Sequence, residues 1–388
     1  MELPEGYYSP NETRVCKLIK SLYGLKQAPR KWNEKLTLSL NENGFVQSAN
    51  DYSLFVKSQG SLFLALLVYV DDIVITGNNE SEIEKFKHFL KTKFLIKDLG
   101  ELKYFLGIEV LKDKNGLCLS QRKYCLELLD EFGLIGSKPV GAPLETNVYV
   151  SYVPTQDDSF LVDITKYQQL IGKLIYLTMT RPDISFYVQC LSQFMHSPLQ
   201  SHLKIALRLL RYLKASPGKG VYIQKSDSVT LSAYVDADWG KCLDSRKSVT
   251  GFAVFFYDSL VSWKSKKQAT VSRSSTESEY RALASVTCEI LWILKVLNDL
   301  NYKNLLPVKI YCDNRSAVLL ATNPVFHERS KHFEVDLHVV RQKCTSGVIE
   351  IEQIDSCDQT ADIFTKGLGI NQHNLLCDKL KLIDMFHA

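Results

Sequence analysis

The sequence lacks several features that would place it quickly in a class of protein. None of its ten cysteines forms a C-x-x-C pair, so the usual signatures of a zinc site and of a redox pair are missing. The opening residues, MELPEGYYSP, have neither a basic start nor an apolar segment, and no secretory signal is visible. No internal repeat or low-complexity tract is present. We therefore expect an intracellular globular protein with reduced thiols, and both cytoplasm and nucleus stay open.

Long apolar runs and a strong charge excess are also missing. The apolar run in LALLVYVDDIVITG stops at Asp71 and is too short to cross a bilayer, so no membrane partner is expected. The 47 lysines and arginines against 43 acidic residues leave a net charge of +4, which permits nucleic acid as a partner without indicating it. A length of 388 residues predicts two or three domains.

Two adjacent aspartates, Asp71 and Asp72, interrupt the most strand-like segment of the chain. A hairpin with both aspartates in its turn would explain them, although such turns favour Asn-Gly or Asp-Gly. A divalent cation between the two carboxylates is the other explanation. Magnesium prefers hard oxygen ligands, and phosphoryl transfer needs metal ions to neutralise developing charge. The residues favour the metal site and leave the hairpin open.

The last third of the chain has a strand and helix order of its own. VTLSAYVD alternates in polarity, and GFAVFFYDSLVSW predicts a hairpin that turns near Asp258 and Ser259. A long helix, the strand VKIYCD, a helix, the strand VIEIEQI and a final helix follow. This order predicts a mixed sheet flanked by helices. Upstream, residues 141–163 predict an irregular connector, and DISFYVQCLSQFM predicts a helix capped by Asp183.

The segment from Tyr69 to Asp72 resembles the YxDD motif of reverse transcriptases, and its surroundings resemble the copia-type retrotransposon Pol polyprotein. SLYGLKQAPRKW is similar to that family's second polymerase motif, DLGELKYFLGIEV to its primer-gripping hairpin, and YQQLIGKLIYLTMTRPDI to its connecting region. The resemblance covers essentially the whole chain. It implies that Asp71 and Asp72 are catalytic metal ligands. The resemblance also implies that Gly24 and Lys26 shape the template–nucleotide site. Arg30 belongs to a stretch of basic residues interleaved with aromatic ones, which either binds nucleic acid or is a solvated face.

AYVDADWG, STESEYRALA, YCDN and TADIFTKGL are similar, in order, to the four acidic motifs of the ribonuclease H domain of the same polyprotein. By position, the catalytic metal ligands implied are Asp236, Glu279, Asp313 and Asp362. The resemblance implies two magnesium or manganese ions and cleavage of RNA in RNA–DNA hybrids. Many ribonucleases H carry a histidine just before the last acid, whereas IEQIDSCDQTA has none. His332 and His338 are candidate substitutes, or they have ordinary packing and surface roles.

Each of these acids also has an explanation without catalysis. Asp236 could be an ordinary acid at a strand end, and Glu279 could form a capping box with Thr276. Asp313 could cap the helix that follows it. Asp362 could stabilise a helix by placing its negative charge near the helix N-terminus. Taken singly, three of the four favour the structural explanation. Taken together, they favour a shared metal site.

Basic residues lie along one stripe of the predicted helix SHLKIALRLLRYLK, at Lys204, Arg208 and Arg211. Such a stripe either contacts nucleic-acid phosphates or is a solvated face. We expect an RNA–DNA hybrid and a template–primer as partners, and the oligomeric state stays open.

The predicted fold class is mixed α/β (α+β). A partial reverse-transcriptase palm spans 1–110, a helical thumb or connection spans 111–225, and a ribonuclease H-like domain with a mixed five-stranded sheet spans 226–388. The family's first polymerase motif lies upstream of the segment where this sequence starts. We therefore expect RNA-directed DNA polymerase activity to be lost and ribonuclease H activity to be kept. The alternatives are a non-catalytic retrotransposon remnant that at most binds nucleic acid, and a segment complemented by an upstream part.

Overall fold

The computed structural model describes residues 6–7, 13, 15, 17–20, 22, 24–144, 153–226, 228–242, 244–323 and 333–386. It contains two compact units, Met1–Gly100 and Glu101–Ala388. His332 and the middle of the predicted connector lie outside the described residues. The domain boundaries predicted after residues 110 and 225 follow the segments of the resembled family, whereas the two units are defined by compactness. The predicted boundaries stay predictions.

The first unit is an antiparallel sheet packed against two helices. Its strands pair in chain order, β1-β2-β3-β4. Leu64 and Leu66 of β3 point into a core shared with both helices, because alternate residues of a strand face the same side. The elements are α1 Ala28–Glu42, β1 Val46–Gln47, β2 Leu54–Gln59, β3 Leu62–Tyr69, β4 Asp72–Gly77 and α2 Glu80–Lys93. Asn79 caps α2 by accepting a hydrogen bond from the Glu82 backbone N–H (3.1 Å).

The second unit begins with hairpins and a cluster of helices. The elements of this part are β5 Tyr104–Phe105, β6 Ile108–Lys112, β7 Gly116–Ser120, α3 Arg122–Glu131, α4 Thr165–Leu177, α5 Ser185–Ser192, α6 Gln200–Ala215 and β8 Lys219–Gln224. Helices α3 to α6 share one apolar core. The strands form an antiparallel sheet in the order β14-β8-β7-β6-β5, in which the partner of β8 is β14 (Leu382–Asp384) near the chain end. This pairing joins segments more than 150 residues apart and has no local signal in the sequence.

A second five-stranded sheet carries the acids implied by the ribonuclease H resemblance. Its order is β11-β10-β9-β12-β13, with β9 to β11 antiparallel and β12 parallel to both β9 and β13. This topology confirms the predicted mixed sheet. The elements here are β9 Leu231–Asp238, β10 Val249–Phe256, β11 Ser259–Lys267, α7 Ser275–Asp299, β12 Val308–Cys312, α8 Arg315–Thr322, α9 Glu334–Thr345, β13 Ile349–Gln353 and α10 Ile370–Lys379. The predicted hairpin is present, with its turn at Tyr257 and Asp258, one residue earlier than the predicted Asp258 and Ser259. Both turn residues have positive φ.

Apolar side chains cover both faces of this sheet. Residues of β9, β10 and β12 on one face pack against α7, α8 and α9. On the opposite face, Ala253 and Phe255 pack against the 3₁₀ helix Thr360–Phe364 and against α10. The mixed α/β fold class is therefore confirmed, with helices on both sides of the sheet.

A buried ion pair holds the helical cluster to the C-terminal helix. Arg181 binds both carboxylate oxygens of Asp183 (2.9 and 2.7 Å), and both side chains are almost fully buried. The Tyr212 hydroxyl of α6 donates to the same carboxylate (2.6 Å), and the His373 ring of α10 lies 3.3 Å from the Asp183 carbonyl. Although burial opposes ionisation, the Arg181 charge holds the pKa of Asp183 well below its usual range. The prediction that Asp183 caps a helix was wrong: no side-chain cap bond is present at α5 or the preceding 3₁₀ turn, because the carboxylate is used by Arg181 and Tyr212.

Replacing Arg181 by Met should lower the free energy of unfolding of the second unit by about 3–5 kcal/mol, because Asp183 would remain buried without its counter-charge. The double change Arg181→Met with Asp183→Leu should recover most of that loss. Denaturant unfolding of all variants checks this. The control is Lys123→Met, which removes an exposed lysine that pairs with Glu127 at 3.7 Å and should cost about 0.5 kcal/mol or less. Equal effects of Arg181→Met and Lys123→Met would contradict the assigned role.

Candidate active site

The YVDD segment forms the tip of the β3–β4 hairpin. Tyr69 pairs with Asp72, so the two-residue turn consists of Val70 and Asp71. Both aspartates are exposed. The hairpin left open by the sequence is therefore present, with its turn one residue earlier than the aspartate pair. A hairpin does not exclude a metal, and within the described ranges no third His, Cys, Asp or Glu clusters with these two carboxylates.

Val70 has an unusual backbone conformation, with φ = 50°. A β-branched side chain is disfavoured at positive φ, at a cost of about 1–3 kcal/mol, and such strain is found mostly at functional sites. The φ pattern, positive at the first turn residue only, is one in which glycine is preferred. The turn therefore keeps a strained valine directly before the aspartate pair.

The predicted nucleic-acid contacts of the first unit lie together at the start of α1. Gly24 has φ = +87°, with open space around the position of a Cβ. Lys26 lies in the turn before α1 and Arg30 in the first part of the helix, and both are exposed. Their role in binding stays a prediction.

The predicted basic stripe on α6 is only partly free to meet a ligand. Lys204 is exposed and Arg208 is half-buried. Arg211 donates from Nε to the Lys138 carbonyl (2.9 Å), and its own carbonyl accepts from the Val140 backbone N–H (3.2 Å). Arg211 therefore anchors the segment that follows α3 to α6, a structural role that the stripe alone did not indicate.

The four acids implied by the ribonuclease H resemblance converge although they come from four different elements. Asp236 lies on β9 and Glu279 on α7, whereas Asp313 directly follows β12 and Asp362 lies in the 3₁₀ helix Thr360–Phe364. Ligand atoms of Glu279 and Asp313 come within 4.8 Å of each other. Asp236 and Asp362 are bridged by the ammonium group of Lys366, at 3.4 and 2.6 Å. The two pairs are close enough to interact electrostatically, because the charges of Asp236 and Asp313 raise the pKa of Glu279 and the charge of Asp313 contributes to the raised pKa of Asp362. The four carboxylates therefore form one acidic cluster.

The start of α7 shows that Glu279 has no capping role. The N-cap is Ser274, whose hydroxyl accepts from the Glu277 backbone N–H (3.1 Å). The Glu277 carboxylate accepts in return from the Arg273 backbone N–H (2.8 Å) and pairs with Arg281. The capping motif is therefore Ser274 with Glu277, two residues before the alternative weighed from the sequence. Glu279 is almost fully buried, and its Oε2 has no hydrogen-bond partner.

Asp313 is likewise not the cap of the helix that follows it. Asn314 caps α8 by accepting from the Ala317 backbone N–H (3.0 Å), while Asp313 accepts from the Ser356 hydroxyl (2.9 Å). The thiol of Cys312 also lies within 4.8 Å of Glu279 and Asp313. Burial raises the pKa of Cys312 far above its usual value, so the thiol stays protonated and is a poor ligand for a hard cation.

Asp236 lies within its strand rather than at the end, opposite Gly251 of β10. A Cβ at Gly251 would come within 2.6 Å of Thr365 and 2.8 Å of Phe364, so glycine permits the close approach of this segment. As a result the Thr365 hydroxyl donates to Asp236. Gly251 and Thr365 were missed from the sequence, because their importance comes from a contact between distant segments.

The clustered charges alter the pKa values of the acids. Burial raises the pKa of Asp236 to about 6; Lys366 opposes this shift and Asp362 adds to it. Burial, reinforced by the charges of Asp236 and Asp313, raises the pKa of Glu279 well above its ordinary value. Burial also raises the pKa of Asp362, against the effect of Lys366. Without a bound metal, ionising these buried acids therefore costs free energy, and their protonated forms are favoured relative to exposed carboxyl groups.

The donor set fits a divalent cation. The four carboxylates offer hard oxygen atoms, and the buried, unpartnered Oε2 of Glu279 costs free energy unless a cation or another donor occupies its surroundings. The sheet topology and the four converging acids together define a ribonuclease H-like domain. Lys366 is a further residue of this site and was not predicted from the sequence. Its position four residues after Asp362 could have indicated the ion pair between the two side chains.

Comparisons with known proteins agree with this architecture. A family model described as reverse transcriptase (RNA-dependent DNA polymerase) matches residues 1–146. A retrovirus-related Pol polyprotein from transposon RE1 of Arabidopsis thaliana is 44% identical over 371 residues, which is 95% of this chain and 25% of that protein. A putative transposon Ty5-1 protein of Saccharomyces cerevisiae is 32% identical over 291 residues, or 74% of this chain and 94% of that protein. The chain belongs to the family of copia-type retrotransposon Pol polyproteins.

The chain spans about a quarter of the length of the Arabidopsis polyprotein. Among solved structures, the N-terminal ribonuclease H domain of a Mycobacterium tuberculosis protein, fused to maltose-binding protein, is similar to 39% of this chain. The match covers 98% of that chain at 16% identity and a TM-score of 0.25. Among the helices of the described segments, none is both long and apolar enough to cross a membrane.

The raised pKa of Asp236 predicts a pH-dependent stability of the metal-free protein. An acid with a folded-state pKa above its unfolded value destabilises the fold once it ionises, so this destabilisation grows as the pH rises through about 4 to 6. In EDTA near neutral pH, Asp236→Asn should therefore raise the free energy of unfolding by roughly 1–3 kcal/mol. The gain should disappear below about pH 4.

Thermal melts of both proteins across this pH range check the expectation. Asp358→Asn is the control, because Asp358 is an exposed acid that pairs with Lys379 at 3.3 Å outside the cluster. A lower stability of Asp236→Asn in EDTA near neutral pH would contradict the assigned charge repulsion.

Proposed function

We propose that this chain cleaves the RNA strand of RNA–DNA hybrids with magnesium or manganese held by Asp236, Glu279, Asp313 and Asp362. The observation that supports this most is the convergence of four carboxylates from separate elements around a buried, unpartnered oxygen of Glu279. Family membership supports nucleic acid as the substrate class. The hybrid itself, the metal and the hydrolytic reaction belong to the proposal.

The residues around the acids position them for this reaction. Thr365 fixes Asp236 by a hydrogen bond, and Ser356 fixes Asp313. The N-terminal cap stabilises the start of α7, which carries Glu279 at its fifth position. Preorganised ligands reduce the reorganisation needed when a phosphodiester enters the site. Divalent cations bound here would activate water and neutralise charge on the leaving oxygen.

Glu279→Gln should abolish cleavage while the protein stays folded, because glutamine keeps the size of the side chain and removes the negative charge that a metal ligand needs at this position. We expect the rate on an RNA–DNA hybrid in magnesium to fall on the order of a hundredfold or more. Hybrid binding should persist, since the lost interaction stabilises the transition state. Cleavage of a labelled hybrid, together with a thermal melt of the full chain, measures both.

The matched control is Glu277→Gln, two residues away on the same helix. Glu277 serves the cap and pairs with Arg281. Its replacement should reduce stability by roughly 0.5–2 kcal/mol and leave cleavage by the folded fraction near the parent rate. Parent-rate cleavage by a well-folded Glu279→Gln protein would reject the ribonuclease proposal and leave a nucleic-acid-binding protein as the better description.

For the first unit, we propose that this chain alone does not extend primers. Asp71 and Asp72 lie exposed on a hairpin, and among the residues that the structure describes no third acid completes a metal site with them. Two carboxylates without a third ligand leave the metals of phosphoryl transfer poorly held.

The expected result is nucleotide incorporation at background level on a primed template in magnesium. The same preparation should cleave a hybrid, which controls for correct folding of the second unit. Template-dependent incorporation that Asp71→Asn removes would show that the pair is catalytically competent in this chain.

A further inference from the structure

Lys366 is only partly exposed, and its side chain points toward the acidic site rather than into solvent. The residue follows the 3₁₀ helix Thr360–Phe364, and its side chain folds back so that Nζ lies 2.6 Å from Asp362 Oδ1. The same Nζ lies 3.4 Å from Asp236 Oδ1. One ammonium group therefore contacts two carboxylates that belong to different elements and that are proposed to bind metal.

These contacts resemble those of a cation held between two ligands. Asp236 and Asp362 are almost fully buried, with side chains 3% and 7% exposed, so their charges need a partner inside the site. Lys366 retains 35% exposure, which gives its flexible stem a route out toward solvent. The lysine supplies counter-charge without being locked in place by burial.

A divalent cation bound to the same oxygen atoms would have to lie about 2.0–2.6 Å from them. An ammonium group in hydrogen-bond contact with both carboxylates occupies the same region, and two cations at such short separation repel each other strongly. The present position of Lys366 and a metal ligated by Asp236 and Asp362 are therefore mutually exclusive.

We propose that Lys366 is a built-in competitor for the metal: its ammonium group holds Asp236 and Asp362 together in the metal-free protein, and it must leave before a divalent cation binds there. This inference rests on the proposed metal site. Because Lys366 must be displaced, the affinity of the site for a divalent cation is lower than the carboxylates alone would give. The fold is thereby protected from repulsion between its buried acids while no metal is bound.

The test uses manganese alone, without nucleic acid, on the full chain. Electron paramagnetic resonance of unbound Mn²⁺ gives the dissociation constant for the parent and for Lys366→Gln. Competition predicts tighter binding by Lys366→Gln, by about tenfold, which corresponds to about 1.4 kcal/mol. The control Lys379→Gln removes a lysine of similar exposure (31%) that pairs with Asp358, and it should bind Mn²⁺ like the parent.

Thermal melts separate competition from an ordinary structural role. In EDTA, Lys366→Gln should melt below the parent, because the acids lose their counter-charge. In saturating Mn²⁺ it should melt at least as high as the parent, because the metal takes over that role. A lysine that only supports the fold would lower the melting temperature under both conditions, which would overturn the proposal.

A variant that keeps the charge covers the case in which Lys366→Gln does not fold in EDTA. Lys366→Arg should bind Mn²⁺ no more tightly than the parent, and tighter binding would overturn the proposal. If folded Lys366→Gln binds Mn²⁺ as tightly as the parent or more weakly, the competition proposal is wrong. If Asp236→Asn abolishes Mn²⁺ binding in the same experiment, the proposed metal site is still supported. Absence of Mn²⁺ binding in the parent itself would reject both the competition and the metal site.

Discussion

The buried contact between Arg181 and Asp183 is the interaction on which much of the second unit depends. Two ionised side chains are removed from water there, which is costly unless each oxygen and nitrogen finds a partner. The structure supplies these partners from distant parts of the chain: the Tyr212 hydroxyl of α6 for the carboxylate and the Ser216 carbonyl for the guanidinium. The His373 ring of α10 contacts the backbone carbonyl of Asp183. Since α10 follows directly on the segment that carries Asp362 and Lys366, the pair also helps to place one side of the acidic site.

The acidic site shows the opposite electrostatic arrangement. Arg181 and Asp183 neutralise each other, whereas Lys366 is the lysine that contacts Asp236 and Asp362 in the acidic cluster. Asp236, Glu279 and Asp362 keep raised pKa values. Such an arrangement lowers the stability of the metal-free fold and is typical of sites where function and stability oppose each other. Gly251 and Thr365 show how closely the surrounding backbone is packed to keep the acids at this spacing.

Much of this architecture could be predicted because its signals are local. The alternation of β9, the turn at Tyr257 and Asp258, and the order of the acids can all be read from short stretches of sequence. The cap of α7 could not be chosen that way, since both Ser274 with Glu277 and Thr276 with Glu279 satisfy the same spacing. The two possible capping motifs can be distinguished only by the position at which the helix starts, which is directly after Ser274.

Other features depend on contacts between distant segments and had no local signal. Asp183 follows a proline in the manner of a helix cap, and its true partner Tyr212 lies on another helix. Lys366 meets Asp236 only because the sheet and the following segment pack face to face across Gly251. The hairpin tip at Val70 is a third case, because nothing in the sequence indicates that a valine takes positive φ there.

The strand β14 (Leu382–Asp384) affects the order in which parts of the second unit can fold. It covers the edge of β8, whose other partner β7 was made long before it during synthesis. Until residues 382–384 have been synthesised, this edge of β8 presents unpaired backbone groups that another extended peptide could bind. The sheet therefore closes only after more than 150 further residues have followed β8, and its open edge is exposed to mispairing during that interval.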